Sequence, residues 1–177
     1  MDAMLVVDMQ AGLLDGAPKH DLAGVVARIE SLSRRIRERG GTVVRIRHCG
    51  PPGDPFARGA DGWQFLPELP PGASDIVVEK TLNDAFAGTD LAEVLRRLAP
   101  DRVLVAGWAT DFCVDSTVRA AVSAGHAVVV AGDGHTLADR PHLDAATVIR
   151  HHNWVWSELI ARTPVRVAPA DRILGAG

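Results

Sequence analysis

Apolar residues fall in two rhythms along the chain. Six short runs are nearly continuous in Val, Leu and Ile: Ala3–Val7, Thr42–Ile46, Asp75–Val78, Arg102–Ala106, Ala127–Ala131 and Val165–Val167. Strands buried on both faces read this way, and such strands belong to parallel sheets. Between them lie amphipathic stretches, Leu22–Arg39, Thr89–Leu98, Asp111–Ala124 and His142–Ala161. The first sets Val25, Val26, Ile29, Leu32 and Ile36 on one face, and Gly40-Gly41 stops it. Thr89 is placed to cap the second, and Pro100 lies just past its end. Strands alternating with helices of this length predict right-handed βαβ units in a three-layer α/β/α sandwich. One stretch breaks the rhythm. Cys49 to Gly72 is rich in Pro and Gly and holds Trp63 and Phe65, too long for an ordinary connection, so it reads as a lid or pocket wall. The tail after Ala168 reads as a loose end or a contact with another subunit.

The 177 residues fit one domain, 1–177, and 47% hydrophobic content makes it globular. Net charge is −3 with both signs mixed along the chain, which argues against nucleic acid or an acidic membrane surface as a partner. Apolar runs are of strand length, with no membrane span or signal peptide in view. The two cysteines, Cys49 and Cys113, then read as free thiols in a reducing cytoplasm, with no Cys-x-x-Cys pair for zinc or dithiol chemistry.

Ligands of open parallel sheets bind beyond the carboxyl ends of the strands. Three reactive residues fall there. Asp8 ends the first strand, Lys80 ends the third, and Cys113 follows the fourth at the start of a helix bearing Val114, Val118, Ala121 and Val122. A thiol at a helix start meets unpaired N–H groups that favour a thiolate. A neighbouring carboxylate can take its proton, an ammonium can hold the carboxylate and the negative charge, and backbone N–H groups can receive an oxyanion. Each residue alone has a plainer use: a strand-end Asp caps helices, a Lys is solvated, an apolar-segment Cys is buried and inert. Their convergence on one sheet edge favours chemistry.

Leu5-Val6-Val7-Asp8-Met9-Gln10, Val78-Glu79-Lys80, Ala85-Phe86-Ala87-Gly88-Thr89-Asp90-Leu91 and Gly107-Trp108-Ala109-Thr110-Asp111-Phe112-Cys113-Val114 together resemble the isochorismatase-like cysteine hydrolases in order and spacing, over roughly Met4 to Val167. The resemblance implies a six-stranded parallel sheet flanked by helices. It implies Cys113 as nucleophile, Asp8 as general base and Lys80 as third member of a triad. It also implies a cis peptide between Trp108 and Ala109, with N–H groups of Ala109 and Cys113 as oxyanion hole. Many members cleave C–N bonds of small amides through a covalent acyl-enzyme, here a thioester. True isochorismatases cleave a vinyl ether and generally lack the cysteine, so Cys113 favours the amidase branch. The metal site of the nicotinamidases has an Asp-x-His start, whereas this chain reads Ile46-Arg47-His48-Cys49-Gly50, so no metal and no other cofactor is expected.

Gln10, His48, Trp63, Phe86, Trp108, Phe112 and His135 are the expected substrate-binding residues. Core packing explains any one of the aromatics equally well, and a loop hydrogen bond would account for His135. His151 and His152 are adjacent, so they cannot share a helical face as a metal pair. With Gly132-Asp133-Gly134-His135-Thr136, the segment His151-His152-Asn153-Trp154 resembles streptothricin hydrolase-like members, which open a lactam amide. The expected function is a cytoplasmic, cofactor-free thiol amidohydrolase acting on a small-molecule amide or lactam as a homo-oligomer, a dimer or tetramer. The rivals are an isochorismatase-type vinyl ether hydrolase and a non-catalytic binding protein on the same fold, with a redox-sensing thiol protein behind them.

Overall fold

The structure, a computed structural model, describes residues 1–175. Six strands form one sheet: β1 (Asp2–Val7), β2 (Thr42–His48), β3 (Ile76–Lys80), β4 (Arg102–Trp108), β5 (Val128–Thr136) and β6 (Arg166–Ala168). All pairs are parallel and the order is β3-β2-β1-β4-β5-β6. Six helices accompany them: α1 (Ala11–Leu14), α2 (Leu22–Glu38), α3 (Leu91–Leu98), α4 (Asp115–Ser123), α5 (Ala145–Ser157) and α6 (Ala170–Ile173).

The continuous apolar strands serve two cores because side chains alternate across a pleated strand. Leu5 and Val7 of β1 join Val103 and Val105 of β4 on one face, covered by Leu91, Leu95, Val118 and Trp156 of α3, α4 and α5. Met4 and Val6, with Leu104 and Ala106, face the other way onto Val25, Ile29, Leu32 and Ile36 of α2. Two apolar layers around one sheet are what the three-layer expectation requires.

Several element ends differ from the sequence expectation. β5 runs to Thr136 because its pairing with β4 slips between Val105 and Gly107, so that His135 comes opposite Gly107. The cysteine turn is not the start of an α-helix. Thr110–Val114 is a wide π turn, and α4 begins only at Asp115. α5 starts at Ala145, where the Asp144 carboxylate accepts from the Thr147 N–H at 2.8 Å. Thr89 does accept from the Leu91 N–H, at 3.2 Å, ahead of α3. The tail is not loose through residue 175: Ile173 and Leu174 are buried in the α2 layer, and the Leu174 carbonyl accepts from Arg39 at 2.5 Å. Ala176 and Gly177 lie outside the described residues.

At the edge away from the site, Asp75 binds two arginines. Arg37 makes a bidentate pair with it at 2.7 Å, and the buried Arg45 donates to it at 3.0 Å. Among the described residues no helix is long and apolar enough to cross a membrane.

Candidate active site

β1 and β4 are neighbours at the centre of the sheet, and the chain winds outward from them in opposite directions. That switch leaves a crevice at their carboxyl ends. Gly107 lets the two strands meet there: at φ 131° a Cβ would lie 2.2 Å from the Val7 carbonyl oxygen. Asp8 follows β1 in the left-handed region, φ 50°, which Asp tolerates better than most residues. Lys80 ends β3, and Cys113 is the fourth residue of the turn after β4.

Three of the expected residues converge. Lys80 Nζ lies 2.6 Å from Asp8 Oδ2 and 3.3 Å from Cys113 Sγ, and donates to the Leu82 carbonyl at 3.0 Å. An ammonium has three donors, and three acceptors surround this one. The contact with Asp8 is an ion pair between two buried side chains. Asp8 is fully buried, Lys80 is 1% exposed and Cys113 is 7% exposed.

Burial pushes the Asp8 carboxyl above its ordinary value, with the Lys80 charge pulling the other way. Burial, then the Asp8 charge, pushes the Cys113 thiol up to about 12 against the pull of Lys80. The expected thiolate at a helix start is therefore corrected to a neutral thiol. The turn is not an α-helix N-terminus, and the Asp8 charge acts on the thiol in the same sense as burial. The Trp108–Ala109 peptide ahead of the turn is cis.

The expected substrate-binding residues separate into groups. Phe112 is 50% exposed beside the thiol, with the Arg140 guanidinium 5.1 Å above its ring. Arg140 in turn makes a bidentate pair with Asp111 at 2.8 and 2.6 Å. His48 stands opposite Lys80 in the sheet register, half-buried, and burial and the Lys80 charge lower its pKa. Trp108 packs between α5 and the α2 layer, and its buried indole N–H has no partner among the described residues.

Gln10 is corrected from a substrate ligand to a clamp. Its buried amide donates to the carbonyls of His48 at 3.0 Å and Trp63 at 3.1 Å, and accepts from the His48 N–H at 2.7 Å. Trp63 is likewise occupied. Its N–H points at Cys49 Sγ at 3.0 Å and Arg47 lies 3.3 Å above its ring. With Ala11 bonded to Gln64 and Leu66 to Met9, the segment Cys49 to Gly72 is a pinned wall rather than a lid. The Phe86 ring lies 6.3 Å from His126 and packs against the apolar layer that also holds Cys113. His135 is 1% exposed and bonded on both nitrogens, so it lines no cleft.

One neighbour of the thiol escaped the sequence reading. Asn83 Oδ1 lies 3.7 Å from Cys113 Sγ, on an exposed stretch with Leu82. Its position three residues after Lys80 was the available signal. Among the described residues no three His, Cys, Asp or Glu side chains converge as a metal cage.

A six-stranded parallel sheet whose central crevice holds a buried acid, amine and thiol defines a hydrolase-like α/β class. The isochorismatase domain matches residues 2–157, and the chain belongs to that family. It is 35% identical over 142 residues to a streptothricin hydrolase of Streptomyces noursei, covering 80% of this chain and 51% of that one. The chain thus spans about half the length of the curated relative. Among solved structures it resembles a cysteine hydrolase from Pseudomonas syringae pv. phaseolicola 1448A, with TM-score 0.87 and 25% identity over 98% of this chain and 90% of that one. It also resembles the N-carbamoylsarcosine amidase from Thermoplasma acidophilum, with TM-score 0.80 and 25% identity over 98% and 99% of the two chains.

Proposed function

We propose that the protein is a cysteine-dependent hydrolase that cleaves the C–N bond of a small amide or lactam through a thioester at Cys113. The observation that carries this reading is the buried Lys80 ammonium, which touches both Asp8 and Cys113. A binding protein has no use for two opposed charges held out of water against a thiol, since each charge costs several kcal/mol to bury. The names of the streptothricin hydrolase and of the carbamoylsarcosine amidase support the same bond type.

In the proposed reaction Asp8 removes the thiol proton as sulfur attacks the carbonyl carbon. A carboxyl raised by burial is a stronger base than a solvated one, which suits it to a thiol of high pKa. The N–H groups of Ala109 and Cys113 take the oxyanion. The tetrahedral species collapses, the C–N bond breaks, and the leaving nitrogen takes the proton from Asp8. Water then adds to the thioester with Asp8 again as base, and the acid departs as the thiol recovers its proton. Lys80 keeps Asp8 in place and balances the charge passing between carboxylate and sulfur. Leu82 and Phe112, both exposed, supply an apolar collar at the mouth.

A screen of small amides, ureas and lactams for released ammonia or amine tests the proposal. Cys113→Ala should remain folded by circular dichroism and lose turnover entirely, with Cys113→Ser nearly as inactive. A folded Cys113→Ala protein that turns over like the parent would end the nucleophile assignment.

A further inference from the structure

A second buried polar network stands directly behind the cysteine turn, and the proposed reaction leaves it without a task. His135 Nδ1 lies 2.9 Å from Thr110 Oγ1, and His135 Nε2 lies 3.0 Å from Asn153 Oδ1. Asn153 Nδ2 donates to the Gly132 carbonyl at 2.8 Å. This last bond fixes the proton inventory. The Asn153 amide spends its donor on Gly132, so its oxygen faces the imidazole and Nε2 must carry the ring proton. Nδ1 is then a lone pair, and the Thr110 hydroxyl donates to it. Burial keeps the ring neutral, lowering its pKa to about 4. The Trp156 ring stands edge-on at 5.0 Å and seals the far side.

The sheet is distorted to deliver this histidine. β4 advances two residues from Val105 to Gly107 while β5 advances five from Val130 to His135, and the excess carries His135 to the level of the turn. The turn it meets begins at Thr110, the residue this histidine touches. The Ala109 carbonyl accepts from Phe112 and Val114, both at 3.1 Å, and the Thr110 carbonyl accepts from the Asp115 N–H. Wide π turns are rare single-turn features concentrated at functional sites, so a side-chain anchor at their first residue has something to hold.

We infer that His135 and Asn153 are positioning residues for the thiol, acting through the Thr110 hydroxyl to fix the Thr110–Val114 turn and so the place of Cys113 against Lys80 and Asp8. This inference rests on the proposed cysteine chemistry, but its central measurement does not need a substrate. The two ring nitrogens can be tested separately. Asn at 135 keeps an acceptor near the Nδ1 position, while Gln keeps a donor near Nε2. Thr110→Val deletes the hydroxyl at constant shape, and Thr110→Ser restores it.

The experiment compares iodoacetamide alkylation of Cys113, resolved by mass spectrometry from Cys49, with steady-state rates on a responsive amide. Thr110→Val and His135→Gln should lower kcat by about 10–100-fold with KM within about threefold, since a misplacement near 1 Å costs on that order. Cys113 alkylation in these variants should rise as the thiol gains solvent, while the Cys49 rate stays put. His135→Asn and Thr110→Ser should return both readings to within about fivefold of the parent. A folded Thr110→Val protein with parental kcat and parental Cys113 alkylation would overturn the inference. Equal losses in all four variants, with Cys49 exposed alongside Cys113, would overturn it too, because that is the behaviour of ordinary core packing. Failure of the underlying reading shows elsewhere, as turnover by Cys113→Ala.

Discussion

Replacing Asp8 by Asn separates two jobs of the carboxylate that push in opposite directions. The side chains of Asp8 and Lys80 are both fully buried, so the change leaves an ammonium facing a neutral amide. Breaking a buried pair from one side costs about 3–5 kcal/mol. At roughly 2–4 °C per kcal/mol for a chain of this size, Tm should fall by about 6–20 °C. The thiol responds differently. Burial and the Asp8 charge hold the thiol pKa up, at about 12, so Cys113 is overwhelmingly protonated at pH 7. Asp8 is one of the causes of that elevation and Lys80 opposes it, so Asp8→Asn keeps only the helpful charge. Alkylation of Cys113 at pH 7 should accelerate by at least about tenfold, one pKa unit or more. Turnover should nevertheless drop by roughly 10²–10⁴-fold, because no group remains to protonate the leaving nitrogen or to activate water. Site-resolved alkylation, amine release and a thermal melt on one preparation read all three quantities. A variant with unchanged kcat and unchanged alkylation would refute the placement of Asp8 as the base.

Two further outcomes follow from buried titratable groups elsewhere. Asp75→Ala strands Arg45, so chemical denaturation should show a loss of about 3–5 kcal/mol, while kcat at 25 °C stays within about twofold because the cluster lies at the far edge of the sheet. His135 binds its proton less readily folded than unfolded, its pKa falling from 6.5 to about 4. Its contribution to stability is complete above pH 6.5 and is lost as pH falls toward 4, to the extent of roughly 3 kcal/mol. Denaturation of the parent and of His135→Asn across that range should therefore converge at the acid end. Parallel curves would show that the imidazole is not buried neutral.

The sheet and the convergence of Asp8, Lys80 and Cys113 were legible because both depend on local sequence. Runs of Val and Leu mark doubly buried strands, and residues at their ends must share one edge. What escaped depends on contacts distant in the chain. Gly132 to Thr136 carries the polar and glycine content of a turn, yet it continues β5, because the slip beside Gly107 gives its backbone a partner. Gln10 reads as a site residue by position, but its amide is consumed by backbone groups 38 and 53 residues away. Arg140 gives no local sign of pairing with Asp111, 29 residues earlier.

The Gln10 clamp also bears on how the protein could be put to use. Because one amide ties the strand that carries Asp8 to the wall that carries Trp63, swinging that wall outward would break its bond to the Trp63 carbonyl. Leu82 and Phe112, on the two loops beside the thiol, both face solvent. Under the proposed chemistry, with the leaving amine turned toward those two side chains, an amide whose amine bears a dye, a bead or a polymer chain should be released as readily as its small parent, whereas bulk added to the acyl side should stop it. That asymmetry would make immobilised amines the natural format for a selection on this scaffold, with the remodelling confined to the two mouth positions.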